Sequence, residues 1–413
     1  YYPFVNTSYV VSEEDWFPKA DWLSSLRVRG AFGRSSQRPG FRQAQTFFDR
    51  QSVNLASAVD NQPAATVGGP VGNAELRPEI TSEWEGGTEL ALFSNRVTFD
   101  VTGYRRSTRD MLVSRDLAPS LGVANNQFVN LSQMSTRGLE ASVTAQILQL
   151  RNFAFNQSVN FHTFGQRIDE LGLDAQGRPL PPIIFGANST QQFRAGYAPG
   201  GFFQRRIQSF ADLNGDGLIS RINCPTYGGV ANPQVTGGPR CEVVLSDSVE
   251  YLGSPLPTRE WNFNSTMTVF RQFTVNALLN YRGGVRMFNQ TREFRNNGGF
   301  ANGPDFWDRN APLADQVRSV ARSMGSSDGY IEDASFVRLQ ELSLTWQMPQ
   351  SLVRRTRTQG VAFTFGGRNL ALWSDYSGFD PEVISQSGSN WNTFDFLTNP
   401  PTRRWTGRVT VTF

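Results

Sequence analysis

The stretch VTFDVTGY, residues 97–104, decides how this chain is read. Val97, Phe99 and Val101 alternate with Thr98, Asp100 and Thr102, and only an extended strand sends successive side chains to opposite faces. One face is apolar, and the other carries hydroxyls and a carboxylate. GLEASVTAQI (138–147) repeats the pattern, with Leu139, Ala141, Val143, Ala145 and Ile147 set against Glu140, Ser142, Thr144 and Gln146. FAFNQSVNF (153–161) puts Phe153, Phe155, Val159 and Phe161 opposite Asn156, Ser158 and Asn160. WNFNSTMTV, FTVNALLNY, VRLQELSLTW, VAFTF and the terminal RVTVTF follow suit. Between Leu339 and Leu342 the phase slips, as a β-bulge requires. The alternation predicts roughly ten to twelve strands and no clear amphipathic helix.

Composition narrows the class. Charged residues make up 18% of the 413-residue chain, 38% are hydrophobic and 12% aromatic, with a formal net charge of +3. The charged fraction is below the roughly 25% of an average soluble domain. Lys19 is the only lysine, so arginine supplies nearly all the positive charge, scattered singly rather than in the dense run that nucleic acid would need. No stretch approaches the ~18 consecutive apolar residues of a transmembrane helix. The first residues, YYPFVNTSYVVSEEDWFP, lack the ordered regions of a signal peptide. Cys224 and Cys241 lie in a Gly/Pro/Asn-rich stretch. They form either a loop-stapling disulfide in an oxidising compartment or two unrelated thiols, and spacing alone does not decide.

Connections alternate in length. Short links at 93–96 and 271–272 contrast with long polar excursions at about 34–78, 170–192, 211–258, 283–333 and 374–403, the habit of outer-membrane barrels. A soluble all-β sandwich or propeller is the rival, because a sheet packed on a core also needs one apolar face. Against it stand strands such as 96–113 and 135–148, longer than the usual five or six residues, and polar faces of Asn, Thr, Ser and Gln. Aromatics also recur near strand ends, at Tyr104, Trp261, Tyr281, Trp346, Trp373 and Trp405, as they do at membrane interfaces. The expected fold is therefore all-β, an antiparallel transmembrane β-barrel. In a closed barrel the terminal strand must pair, which places Phe413 at an interface.

Several longer segments carry a resemblance. WLSSLRVRGAFGRSSQ (22–37), residues 72–112 and the C-terminal strand resemble the barrel of TonB-dependent outer-membrane receptors. MSTRGLEASV (134–143), DLNGDGLIS (212–220), YLGSPLPTREWNF (251–263), YIEDASFVRLQELSLTWQMP (330–349) and RNLALWSDYSGFDPEV (368–383) resemble, more narrowly, the SusC/RagA branch. The resemblance covers nearly the whole chain. It implies import of a glycan or peptide across the bacterial outer membrane, powered through TonB and assisted by a SusD-like surface lipoprotein. It also implies a plugged barrel of about 22 strands, of which residues 1–413 would supply roughly the C-terminal half, without the N-terminal plug or the TonB-contacting segment. A siderophore or cobalamin receptor is the nearer alternative, and a soluble extracellular carbohydrate-binding or hydrolytic β-module the more distant one.

Few residues point to chemistry. Asp212, Asn214 and Asp216 alternate before Gly217, like the first half of a calcium loop whose oxygens converge on a hard cation. The twelfth position falls on Asn223, which lacks the bidentate carboxylate, and Asp247 is a candidate replacement. The alternative is an Asx-rich turn holding no ion. His162, the only histidine, lies on a polar strand face without zinc or general-base partners in the sequence. No nucleophile elbow or phosphate-cradling loop occurs, so no enzyme activity is expected. The amide- and aromatic-rich stretches 185–206 and 296–310 suit sugar or peptide recognition, with Phe306, Trp307 and Asp308 as candidate substrate contacts. Tyr376, Phe379 and Asp380 are read as folding a loop.

Overall fold

The structure is a computed structural model of residues 1–413. It describes all of them except 55–60, 68–70, 118–125, 131–132, 174–175, 221–223, 225–240, 298–302, 304–307 and 386–392. Its main element is one eleven-stranded sheet in which every strand pairs antiparallel with its neighbours in chain order. The wall strands are β1 (Phe4–Val10), β2 (Leu23–Gln37), β3 (Glu79–Leu92), β4 (Val97–Arg109), β5 (Gln133–Gln149) and β6 (Phe153–Glu170). They continue with β7 (Arg259–Val269), β8 (Phe273–Gly283), β9 (Phe336–Gln347), β10 (Gly360–Ser374) and β11 (Arg404–Thr412). Most exceed the 9–11 residues that a tilted strand needs to cross a bilayer. No described helix is long and apolar enough to do so.

Register turns the alternation into two surfaces. Residues directly opposite one another across a ladder share a face. One such row runs Tyr9, Val28, Thr88, Val101, Ala141, Phe161, Trp261, Tyr281, Val337 and Trp373. The row two residues along reads Leu26, Leu90, Phe99, Val143, Val159, Phe263, Leu279, Leu339 and Ala371, all apolar. The opposite face carries Arg27, Glu89, Asp100, Ser142, Asn160, Asn262, Asn280 and Arg338 in a single row. The slip anticipated after Leu339 is a bulge: Leu278 and Leu279 oppose Glu341 and Leu339, leaving Gln340 unpaired.

Short connections at 93–96, 150–152 and 270–272 mark one end of the sheet, and the long excursions leave from the other. Two of the expected excursions prove to be one, residues 171–258. It builds a separate four-stranded sheet from Ile183–Phe185, Gln191–Phe193, Gly201–Phe210 and Val243–Gly253. The expectation of no amphipathic helix is overturned within 284–335, which holds α1 (Gln290–Asn297) and α2 (Leu313–Ser323). In α2 the residues Val317, Val320 and Ala321, followed by Met324, are spaced i, i+3, i+4, i+7 and bury one stripe. With only eleven residues, and arginines at 318 and 322, the helix hides easily in a polar stretch.

The excursions pack into a lobe with its own core. Ile219, Cys224, Val243, Leu245, Val317, Val320, Ala321 and Met324 form one buried cluster. Phe202, Phe288, Tyr330 and Ile331 form another. Cys224 and Cys241 are joined as a disulfide with their Cα atoms 4.7 Å apart, so the first of the two cysteine readings holds.

Candidate functional site

The polar face of the wall is a lattice of paired charges. Arg29 bridges Glu89 and Asp100 at 2.6 Å each, and Arg27 meets Glu89 at 3.3 Å. Arg106 pairs with Glu83 at 2.8 Å, Arg282 with Glu382 at 2.8 Å, and Arg368 with Glu341 at 2.9 Å. His162 lands in this lattice. Its register partners are Glu140 and Glu260, Nε2 is 3.8 Å from the Glu140 carboxylate, and the Tyr104 hydroxyl lies 3.0 Å away. Tyr104 reaches it by lying across Gly138, where a Cβ would come within 2.5 Å of the phenol ring. A shallow concavity here is lined by Arg29, Asp100, Glu140, Asn160, His162 and Glu260. Across most of the sheet a cation stands beside an anion, while Arg404 and Arg408 of β11 lie on the same face with no carboxylate at salt-bridge distance among the described residues.

One arginine ties lobe to wall. Arg338, on β9, is 2% exposed; it donates to Asp380 at 2.7 Å and Asn369, and meets Glu382 at 3.0 Å. Asp380 also accepts the Glu382 N–H, so it shapes its own loop while its carboxylate holds the wall arginine. Tyr376 is buried and donates to the Asp395 carboxylate at 2.9 Å. Burial, with the carboxylates of Asp395 and Glu332 nearby, pushes its phenol far above the ordinary range, so it stays a donor. Phe379 of the same segment is exposed. Asp328 has its carboxyl raised by burial although it accepts the Ile207 N–H at 2.9 Å.

The loop DLNGDGLIS closes on itself. Asp212 accepts the N–H groups of Gly215, Asp216 and Gly217 at 2.7, 3.2 and 2.8 Å, Asn214 accepts that of Asp216, and Asp216 that of Leu218. Gly217 sits at φ +83°, as the sharp turn requires. The distal carboxylate is the buried Glu242, which takes the N–H groups of Leu213 and Ser220 at 2.8 and 2.6 Å. Asp247, the candidate for that place, is an exposed residue of the strand Val243–Gly253. Among the described residues no set of three or more His, Cys, Asp or Glu side chains is placed to hold a metal.

Of the expected substrate contacts, Phe306 and Trp307 lie outside the described residues. Asp308 caps its own turn, accepting the Asn310 N–H at 2.8 Å. It is brought close to the Asp212 loop by a residue that sequence reading missed. Gln316 of α2 is buried; it accepts the Ile219 N–H and donates to the carbonyls of Gly217, Ala311 and Asp308. A glutamine on an apolar helical stripe was the available signal. In the 185–206 stretch, the amide of Gln191 bonds the Gly200 carbonyl and Thr393, and Gln204 accepts the Ser327 N–H. These amides brace the lobe from within.

Residues 2–370 match the model of the TonB dependent receptor-like β-barrel family. The chain belongs to that family. It is 23% identical to TonB-dependent receptor P3 of Formosa agariphila over all of the chain and 42% of that protein. TonB-dependent receptor SusC of Bacteroides thetaiotaomicron is 23% identical over 94% of the chain and 38% of SusC. The solved RagAB peptide transporter superposes with a TM-score of 0.73 at 20% identity, covering 100% of this chain and 43% of the matched one. This receptor-like chain thus spans about two fifths of the length of these relatives. In a barrel of this kind the apolar rows face lipid, the polar rows face the lumen, and the long loops are extracellular.

Proposed function

We propose that this receptor-like chain is part of a TonB-dependent importer that carries an oligosaccharide or a peptide across the bacterial outer membrane with a SusD-like surface lipoprotein. The supporting observation is that the fold matched to RagAB extends over the whole chain, lobe included, rather than over the wall alone. Every wall strand except the two outermost, β1 and β11, pairs on both sides within the sheet, as a lipid-facing wall needs. The largely paired charges of the lumen face suit contact with a plug that must release when TonB pulls on it. The lobe, stapled by Cys224–Cys241 and pinned by Arg338, offers the lipoprotein a preformed surface. Phe306, Trp307 and Asp308 are the proposed substrate contacts, two flat rings beside a carboxylate.

Deletion of the gene in the source bacterium tests this reading. Growth on one oligosaccharide or peptide as sole nutrient is expected to fail while growth on ferric siderophore continues, and a surface lipoprotein is expected to co-purify in mild detergent. Loss confined to siderophore or cobalamin uptake would instead favour the nearer alternative. Trp307→Ala in the full-length protein is expected to raise the half-saturating substrate concentration about tenfold, the loss of one aromatic contact.

A further inference from the structure

Arginines on the two faces of the wall are treated differently. Six on the lumen face, Arg27, Arg29, Arg106, Arg282, Arg338 and Arg368, each meet a carboxylate, and the exceptions there, Arg404 and Arg408, lie on the outermost strand β11. Six more occupy lipid-face rows at the extracellular end of β2 to β7: Arg34, Arg105, Arg109, Arg137, Arg167 and Arg259. All six are exposed. Arg167 pairs with Asp169 at 2.9 Å. Among the described residues, Arg105, Arg109, Arg137 and Arg259 have no carboxylate at salt-bridge distance. Among the described residues, Asp169 and Glu170 are the strand carboxylates at this level, and Asp333 of the lobe is near enough to feel Arg259, which leaves Arg105, Arg109 and Arg137 without a balancing carboxylate.

Their height is read from neighbouring aromatics. Arg259 lies two residues beyond Trp261 along β7, on the side away from the apolar rows, roughly 5 Å outward at about 3.4 Å per residue and a tilt near 40°. Arg105 and Arg137 share a register row with the aromatic Trp84, at the interface level where lipid headgroups begin. Arg105 and Arg137 stand directly opposite each other, between Trp84 and Gly165. Like charges facing across a ladder repel, with Cβ atoms some 5 Å apart. The next row reads Arg34, Ser82, Ser107, Ser135 and Arg167; Ser82 accepts from Arg34, Ser107 accepts from Gln133 and Ser135 donates to Asp169.

We propose that this outward arginine band binds the phosphates of outer-leaflet lipids, with Arg105 and Arg137 clamping one phosphate between them. A phosphate offers several oxygens to two planar forks, which converts the Arg105–Arg137 repulsion into two bidentate contacts. The inference rests on the lipid-facing orientation of the wall and on no feature of substrate or TonB.

The test reconstitutes the full-length protein into vesicles of phosphatidylcholine and into equal mixtures of phosphatidylcholine and phosphatidylglycerol. Protease protection of the wall reports insertion, so a failure of the barrel reading shows separately and overturns both. Inserted wild type is expected to melt several degrees higher in the mixed vesicles and to retain phosphatidylglycerol through detergent extraction, by native mass spectrometry. In Arg105→Gln/Arg137→Gln at least half of both effects is expected to vanish; in Arg105→Lys/Arg137→Lys, which keeps the charges and loses the forks, an increment between those of the glutamine variant and wild type is expected. Arg106→Gln, one position away on the lumen face, is expected to keep the full increment. An equal increment in the double glutamine variant would overturn the proposal. So would reproduction of the increment by inorganic phosphate in phosphatidylcholine alone.

Discussion

The wall and the lobe obtain their stability from different solvents. Nearly every fully buried side chain, from Phe202 and Phe288 to Tyr330 and Ala321, belongs to the lobe, whose strands and helices pack on each other as in a soluble protein. Wall residues such as Val101, Leu139, Leu342, Phe365 and Trp405 stay exposed on the lipid face, with lipid standing where a core would be. Arg338 belongs to both regions, rooted in β9 and paired inside the lobe. The same residue types therefore cost different amounts to change on either side of this boundary.

The largest expected effect is at that joint. Asp380→Ala leaves the 2%-exposed Arg338 guanidinium short of its closest carboxylate, which is expected to destabilise the protein by about 3–5 kcal/mol. Thermal melting of the detergent-solubilised protein measures it, and an Asp380→Asn variant, which keeps an acceptor, is expected to lose less. If both melt like wild type, lobe and wall are not coupled through this pair.

Next comes a contrast between adjacent wall positions. Val143 lies in an all-apolar row and Ser142 in the polar row behind it. Val143→Arg is expected to cost about 2–4 kcal/mol in lipid, while Ser142→Arg, beside Asp100, is expected to cost under about 1 kcal/mol. Refolding titrations in bilayers compare them directly. Equal costs would mean that the two faces see the same solvent, as in a soluble sandwich.

The wall was legible in the sequence because period two is a single rule applied eleven times, and even the bulge at Gln340 showed as a phase slip. The lobe was not. Its strands at 201–210 and 243–253 and its helix α2 are held by long-range partners, such as Gln316 with Gly217 and Gln204 with Ser327, which no local pattern announces. Glu242 escaped notice for a related reason. It lies 22 residues beyond Ser220, across the disulfide-closed segment, and only folding brings its carboxylate to the Asp212 loop. Tyr376 and Asp380 were readable as loop formers because the run Ser377-Gly378-Phe379-Asp380-Pro381 carries turn chemistry by itself.

A smaller effect separates the regions by pH. Burial raises the Asp328 carboxyl in the lobe, so the folded state holds its proton at pH values where the unfolded chain, near 3.8, has released it. Between those two values the native state binds more protons, and stability falls as pH rises through the window. Asp328→Asn, which keeps an acceptor for the Ile207 N–H, is expected to flatten that fall and to raise the melting temperature slightly above it. Melting curves from pH 3.5 to 7 would show an unchanged slope if another group carries the effect.

Calcium at 212–220 is the smallest expected effect, because the loop oxygens already have partners. Asp212 takes three backbone N–H groups and Glu242 takes three, so the turn is held with or without an ion. A loop of this kind with extracellular-type affinity, near 1 mM, gains only about 0.4 kcal/mol from 1 mM calcium, of order one degree in melting temperature. Asp212→Ala should lower stability by about 1–3 kcal/mol through the freed N–H groups, equally with calcium and with chelator. A calcium-induced rise of many degrees, abolished by Asp212→Ala, would instead make the ion part of what holds the lobe together, and would set the lobe still further from a wall that needs only lipid.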